Sequence, residues 1–138
     1  MSDGNARGNI SASKFRIISF NANSIGKNPK RGQVFHYLKK YNPDILIIVD
    51  TRLSKESENL AKAEWGGHAY FVSFDSQSRG VAVFITKKLP MKFLDHFSDN
   101  LGNILAMLVE VEEKRILIEG IYGPNRDAPE FYSNEAFI

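Results

Sequence analysis

Residues Ile45-Leu46-Ile47-Ile48-Val49 are apolar at every position. A strand with one wet face alternates apolar and polar side chains, whereas an unbroken run suits a strand covered on both faces. Asn42-Pro43 closes the run on one side and Asp50-Thr51-Arg52 on the other. Five residues so bounded are too few for a buried helix and right for a buried strand. A chain built around such a strand must lay material over both faces of a sheet. Ten Phe, five Tyr and one Trp supply it.

The rest of the chain reads as alternating elements. Phe15 to Phe20 is a short run of β-formers ending in Asn21-Ala22-Asn23-Ser24. Asn28-Pro29 predicts a helix start, with Val34, Phe35, Leu38 and Tyr41 on one face. Ser54 predicts the cap of a second, short helix carrying Leu60 and Ala61, with Glu56 and Glu58 near its positive end. After Gly66-Gly67, strands are expected at 69–74, 81–85, 91–97, 104–111 and 115–122. Residues 75–80 form a hairpin loop, 112–114 a tighter one, 123–125 a turn, and Pro129 opens another helix. Two strand–helix units followed by antiparallel strands indicate an α+β protein with a large sheet. Residues 1–14, rich in Gly, Ser, Asn and Ala, read as a disordered tail before one domain at 15–138.

Composition removes several classes of function. With no Cys there are no disulfides and no thiolate chemistry. No segment approaches the about 20 apolar residues of a membrane span, and the N-terminus lacks a secretory apolar run. An intracellular protein without a membrane partner is the expectation. No Gly-x-x-x-x-Gly-Lys loop, Gly-x-Ser-x-Gly elbow or His-Glu-x-x-His motif occurs. The net charge of +2 hides an asymmetry. Gly4 to Pro43 holds eight Lys or Arg and no acid; from Asp44 onward ten basic residues face fifteen acidic ones. A basic first segment can attract a polyanion such as nucleic acid, or can simply be a solvated helix face with a basic tail.

Polar residues at strand tips are the candidates for chemistry, because the strand fixes the backbone while the tip faces a ligand. Asn21 with Asn23, Asp50, and Tyr122 with Asn125 stand at three such tips. If the first two strands are parallel neighbours, Asn21 and Asp50 emerge at one edge. A carboxylate there could hold a hard divalent cation, and an amide and a phenol could orient a phosphate. Taken singly, each has a plainer reading: an Asx-turn for the Asn pair, a turn or cap for Asp50, an amphipathic edge for Tyr122. His36, His68 and His96 are expected to be structural or surface residues.

Four segments in order change that weighting. They are Ile17-Ile18-Ser19-Phe20-Asn21-Ala22-Asn23, Pro43 through Ser54, Ser78-Arg79-Gly80-Val81-Ala82-Val83, and Ile121-Tyr122-Gly123-Pro124-Asn125. From about Phe15 to Tyr132 the chain resembles the endonuclease/exonuclease/phosphatase superfamily, and within it the endonucleases of LINE-type, non-LTR retrotransposons. The resemblance implies a partial four-layer α/β sandwich of the DNase-I-like fold, comprising the first sheet and its helices only. It implies Mg2+- (or Mn2+-) assisted phosphodiester hydrolysis on double-stranded DNA in the nucleus, leaving a nick whose end primes reverse transcription. Catalytic roles fall to Asn21, Asp50 and Tyr122, with Asp50 the metal ligand; Asn23, Arg79 and Asn125 would contact nucleic acid. Gly80 would allow a tight exit from its loop.

Two departures qualify those implications. The family's Gln-Glu-Thr-His is here Val49-Asp50-Thr51-Arg52. Asp is one methylene shorter than Glu, and Mg2+ tolerates little error in geometry. Arg52 brings positive charge that can oppose a metal or grip phosphate. The later motifs Gly-Asp-x-Asn and Ser-Asp-His are not found, so the chain is expected to be inactive by itself, to leave one apolar sheet face uncovered, and to self-associate or lean on a partner chain. The alternatives are a nucleic-acid-binding module that holds DNA or RNA without cutting, and a decayed reading frame.

Overall fold

A computed structural model describes residues 14–123. Residues 1–13 of the tail expected at 1–14, Asn125 and the helix expected from Pro129 lie outside the described residues. The elements run β1 (Ile17–Asn21), α1 (Lys30–Lys39), β2 (Ile45–Val49), α2 (Lys55–Trp65), β3 (His68–Val72), β4 (Val81–Ile85), β5 (Lys92–Ser98), β6 (Ile104–Val111) and β7 (Lys114–Ile121). Each follows its expected span, with ends displaced by one or two residues.

β2 lies inside a four-stranded sheet of order β1-β2-β4-β3, parallel to β1 and antiparallel to β4. Its run of apolar residues is divided between two faces. Leu46 and Ile48, with Ala82 and Phe84 of β4, meet Phe35 and Leu38 of α1 and Ala61 and Trp65 of α2. Ile45, with Val81, Val83 and Ile85, meets Leu105, Met107, Val109 and Ile118 of the other strands, and Ile47 and Val49 pack there too. Those strands form a separate antiparallel sheet of order β5-β6-β7.

An α+β sandwich is therefore the observed architecture, and it reaches further than one sheet and its helices. The second sheet covers the face expected to lie bare. Gly120 marks how close the sheets come: a Cβ there would sit 2.6 Å from Val81 Cγ1 and 2.9 Å from Ile47 Cγ2. Exposed apolar side chains lie instead on the outside of the second sheet. Phe97 there is 61% exposed and Leu117 65%.

Local chemistry explains the helices. Ser54 and Ser57 form a capping box at the start of α2, and Gly66 ends it in the left-handed conformation at φ +82°. Trp65 packs against Phe35 and Phe84 and donates its indole N–H to the Ile85 carbonyl at 3.1 Å. Asn28 caps α1 from one position earlier than expected, accepting from Gly32 N at 3.0 Å while Pro29 takes the N-cap position. Tyr41 is exposed rather than part of the buried face, because α1 ends at Lys39.

Arg31 takes a place in that buried face instead, at 2% exposure. Its Nε and Nη2 donate to the two Glu64 oxygens at 3.0 and 2.9 Å, and Nη1 donates to the Ile25 and Gly26 carbonyls at 3.2 and 3.1 Å. One side chain thus ties α1, α2 and the loop after β1. Arg31 belongs to the basic first segment, yet its charge is neutralised inside the protein.

Arg31→Ala should destabilise the fold by about 2–3 kcal/mol in urea unfolding, since it leaves a void where a buried side chain lay and takes the donor from the Ile25 and Gly26 carbonyls. The Arg31 bond, first among its causes, lowers the Glu64 pKa below the ordinary 4.5. A depressed folded pKa stabilises above the unfolded value and is lost as pH falls through the folded one. Glu64→Gln should accordingly flatten the loss of stability below about pH 4.5, read from urea midpoints across an acid series.

Candidate active site

Because β1 and β2 are parallel, with Asn21 opposite Val49, Asn21 and Asp50 leave the sheet at the same end. β4 runs the other way, so the loop before it brings Arg79 and Gly80 to that end as well. Backbone hydrogen bonds then lace the loops together. Ser24 N donates to the Asp50 carbonyl at 2.8 Å and Ile25 N to that of Thr51 at 2.9 Å. Thr51 N donates to the Gly80 carbonyl at 3.2 Å and Arg52 N to that of Arg79 at 2.8 Å. The second sheet joins through Gly80 N to the Gly102 carbonyl at 2.8 Å, and through Tyr122 N to the Asn103 carbonyl at 2.7 Å.

The backbone at this end is unusual. Asn23, Ser24, Asp50, Arg52 and Arg79 all have positive φ, between 49° and 84°. Non-glycine residues seldom adopt this region, and when several do so together the surrounding structure holds them there. Gly80, at φ +106°, has the further duty of close approach: a Cβ would strike Thr51 Oγ1 and lie 3.2 Å from Arg52 N.

Asp50 and Arg52 dominate the side-chain geometry. Asp50 is 3% exposed. Arg52 Nε donates to its Oδ1 at 2.9 Å and Nη2 to its Oδ2 at 2.9 Å, a two-pronged pair. The bond to Asp50 raises the Arg52 pKa above the ordinary arginine value, against an opposing effect of desolvation and with a smaller coulombic contribution from Tyr122. Arg52 therefore stays charged throughout the working pH range. Its outer side lines a cleft of about 430 Å³ shared with Ser24, Gly26, Lys27, Lys30 and Ser54.

The structure thus brings Asn21, Asp50 and Tyr122 to one end of the sandwich. Asn21 Oδ1 accepts from Asn23 N at 3.2 Å, which is the Asx-turn, and both residues are exposed. Arg79 arrives in the same loops but faces elsewhere. Its guanidinium lies 4.3 Å from the Phe74 ring centroid and donates to the Leu101 carbonyl at 3.2 Å. His36, His68 and His96 are all exposed and take no part. Lys27 and Lys30 beside the site were visible in the sequence only as members of a basic segment. The charge of Arg52 beside Asp50 was legible in the sequence, but the two-pronged bond between them was not.

The donor set can be tested against the divalent cation that the resemblance implies. Both Asp50 oxygens are already engaged by Arg52. Among the described residues no three His, Cys, Asp or Glu side chains converge to hold a metal. As they stand, these residues do not fit a divalent cation.

Two packed sheets, helices on one of them, and polar strand tips gathered at a single end define a sandwich with a site on its rim. Over residues 18–137 the chain matches the Endonuclease/Exonuclease/phosphatase family, to which it belongs. Solved structures share the fold. An AP endonuclease from Archaeoglobus fulgidus is 20% identical with a TM-score of 0.55, over 75% of this chain and 40% of that one. A 3′-5′ exonuclease (NExo) from Neisseria meningitidis is 24% identical with a TM-score of 0.54, over 86% and 46%. The 3′ phosphatase NExo from Neisseria, bound to product DNA hairpin, is 23% identical with a TM-score of 0.52, over 75% and 40%. The chain spans less than half the length of these structures.

Gly80→Ala should destabilise the protein by about 2 kcal/mol or more, from left-handed strain together with the clash at Thr51. Amide exchange at Thr51 and Arg52 should quicken in the variant beyond what global stability explains.

Proposed function

We propose that this site serves phosphodiester hydrolysis on DNA, in the manner of a nicking endonuclease of a LINE-type retrotransposon. One observation carries the reading: the hydrogen-bond lacing that brings Asn21, Asp50 with Arg52, and Tyr122 to one rim of the sandwich. Family membership supports a phosphoester as substrate. The Neisseria structure bound to a DNA hairpin supports DNA as the partner. The retrotransposon reading, and nuclear location with it, rests on the four sequence segments.

In this reading the rim holds a backbone phosphate beside Arg52. Lys27 and Lys30 attract the polyanion, Arg52 meets a non-bridging oxygen, and the Tyr122 hydroxyl donates to the same phosphate. Asn21 orients the attacked group through its amide. The Arg52 fork is set before the substrate arrives, so it stabilises the charge that builds on already anionic oxygens. The Mg2+ or Mn2+ expected for hydrolysis has no ready ligand set among the described residues.

A second reading, holding DNA without cutting it, is favoured by the engagement of Asp50 with Arg52. Two assays separate them. The chain should shift duplex DNA with steep salt dependence, and Lys27→Ala and Lys30→Ala should each reduce the slope by about 1. Failure to bind DNA would overturn both readings. Relaxation of supercoiled plasmid, diminished by Tyr122→Phe and Asn21→Ala, supports hydrolysis; DNA shifted but never relaxed supports binding alone.

A further inference from the structure

We infer that Arg52 stands in the place of a divalent cation at Asp50, so that a guanidinium rather than a metal ion meets the phosphate. The inference rests on the reading of this rim as a phosphodiester site. Asp50 then acts as a positioning residue for Arg52 and not as a metal ligand.

Geometry carries the argument. A buried carboxylate at the end of β2 requires positive charge beside it, because an unpaired charge there is costly to desolvate. Arg52, two residues further on, satisfies that requirement with two parallel bonds of 2.9 Å. A cation would have to displace this fork or share the carboxylate with it, against the repulsion of the guanidinium charge. Among the described residues no three acid or imidazole side chains converge there, whereas Mg2+ dehydrates reluctantly and demands near-octahedral oxygen ligands.

The guanidinium is well placed for the substituted role. Of its five N–H donors, the bonds to Asp50 use two and leave three. It is 30% exposed, and what it exposes borders the cleft. The carboxylate cancels its net charge, so long-range attraction falls to Lys27 and Lys30. Among the described residues Glu56 is the single acid on the cleft wall. A planar fork held rigid by one partner presents its remaining donors at fixed angles, which suits phosphate oxygens better than a mobile ammonium would.

The backbone supports the same assignment. Asp50 and Arg52 both lie in the left-handed region, at φ 59° and 54°, with the extended-strand geometry broken between β2 and α2. This turn places the two side chains beside each other. The amide of Arg52 is itself pinned to the Arg79 carbonyl at 2.8 Å. The pair is therefore held in register before any ligand arrives.

The test uses Mn2+ alone, followed by the electron paramagnetic resonance signal of the free ion, and a labelled DNA oligonucleotide in EDTA, followed by anisotropy. The wild-type chain should take up no Mn2+ at this site and should bind the oligonucleotide in EDTA. Arg52→Ala should weaken that binding by about tenfold and should open a Mn2+ site that disappears in the Arg52→Ala, Asp50→Asn double variant. Arg52→Lys, which keeps the buried carboxylate neutralised, should fold even if Arg52→Ala does not. It should still exclude Mn2+ and should bind DNA more weakly than wild type. Mn2+ uptake by the wild-type chain that is lost in Asp50→Asn would overturn the inference while leaving the DNA reading intact. Equal oligonucleotide affinity in wild type and both folded variants would overturn it as well.

Discussion

Strand β2 holds both halves of this structure together. Its five apolar residues alternate between the helical layer and the second sheet, so each layer docks on the same short segment. The strand is parallel to β1 and antiparallel to β4. That combination decides which loops share an end of the sheet, and so which polar residues can meet. Exposed side chains at the rim depend on a strand with none to expose.

Charge is handled in the same way at two places. Arg31 clasps Glu64 between the helices, and Arg52 clasps Asp50 at the rim, each through two nitrogens on two oxygens. The first pair is architectural: its arginine is buried and its other donors end on backbone carbonyls. The second keeps its arginine partly open to a cleft. Identical chemistry thus serves packing in one case and leaves a surface for an anion in the other. Access to solvent makes the difference.

The rim is also where the chain departs from relaxed backbone geometry. Five non-glycine residues in left-handed conformations surround it, and the cross-bonds between loops from both sheets hold them. Tying the loops to one another makes the site a property of the whole sandwich. A rim built this way presents donors that need not reorganise when an anion binds, which is the condition for strong electrostatic effects.

Local patterns determined much of this protein. The unbroken run 45–49 demanded cover on both faces, Ser54 set the start of α2, Gly66 its end, and Glu112-Glu113 the tight turn between β6 and β7. The tips Asn21, Asp50 and Tyr122 were legible as candidates because polar residues follow apolar strands there. Tertiary structure alone decided that β5, β6 and β7 form their own sheet, since strand signals carry no record of which strands pair. It alone decided that Arg31 is buried while Lys27 and Lys30 line the cleft, because charge looks the same in sequence whether or not it has a partner. The union of Asp50 with Arg52 lay beyond sequence for a related reason: two residues apart in a strand they would point the same way without meeting, and only the left-handed turn after β2 brings the fork onto the carboxylate.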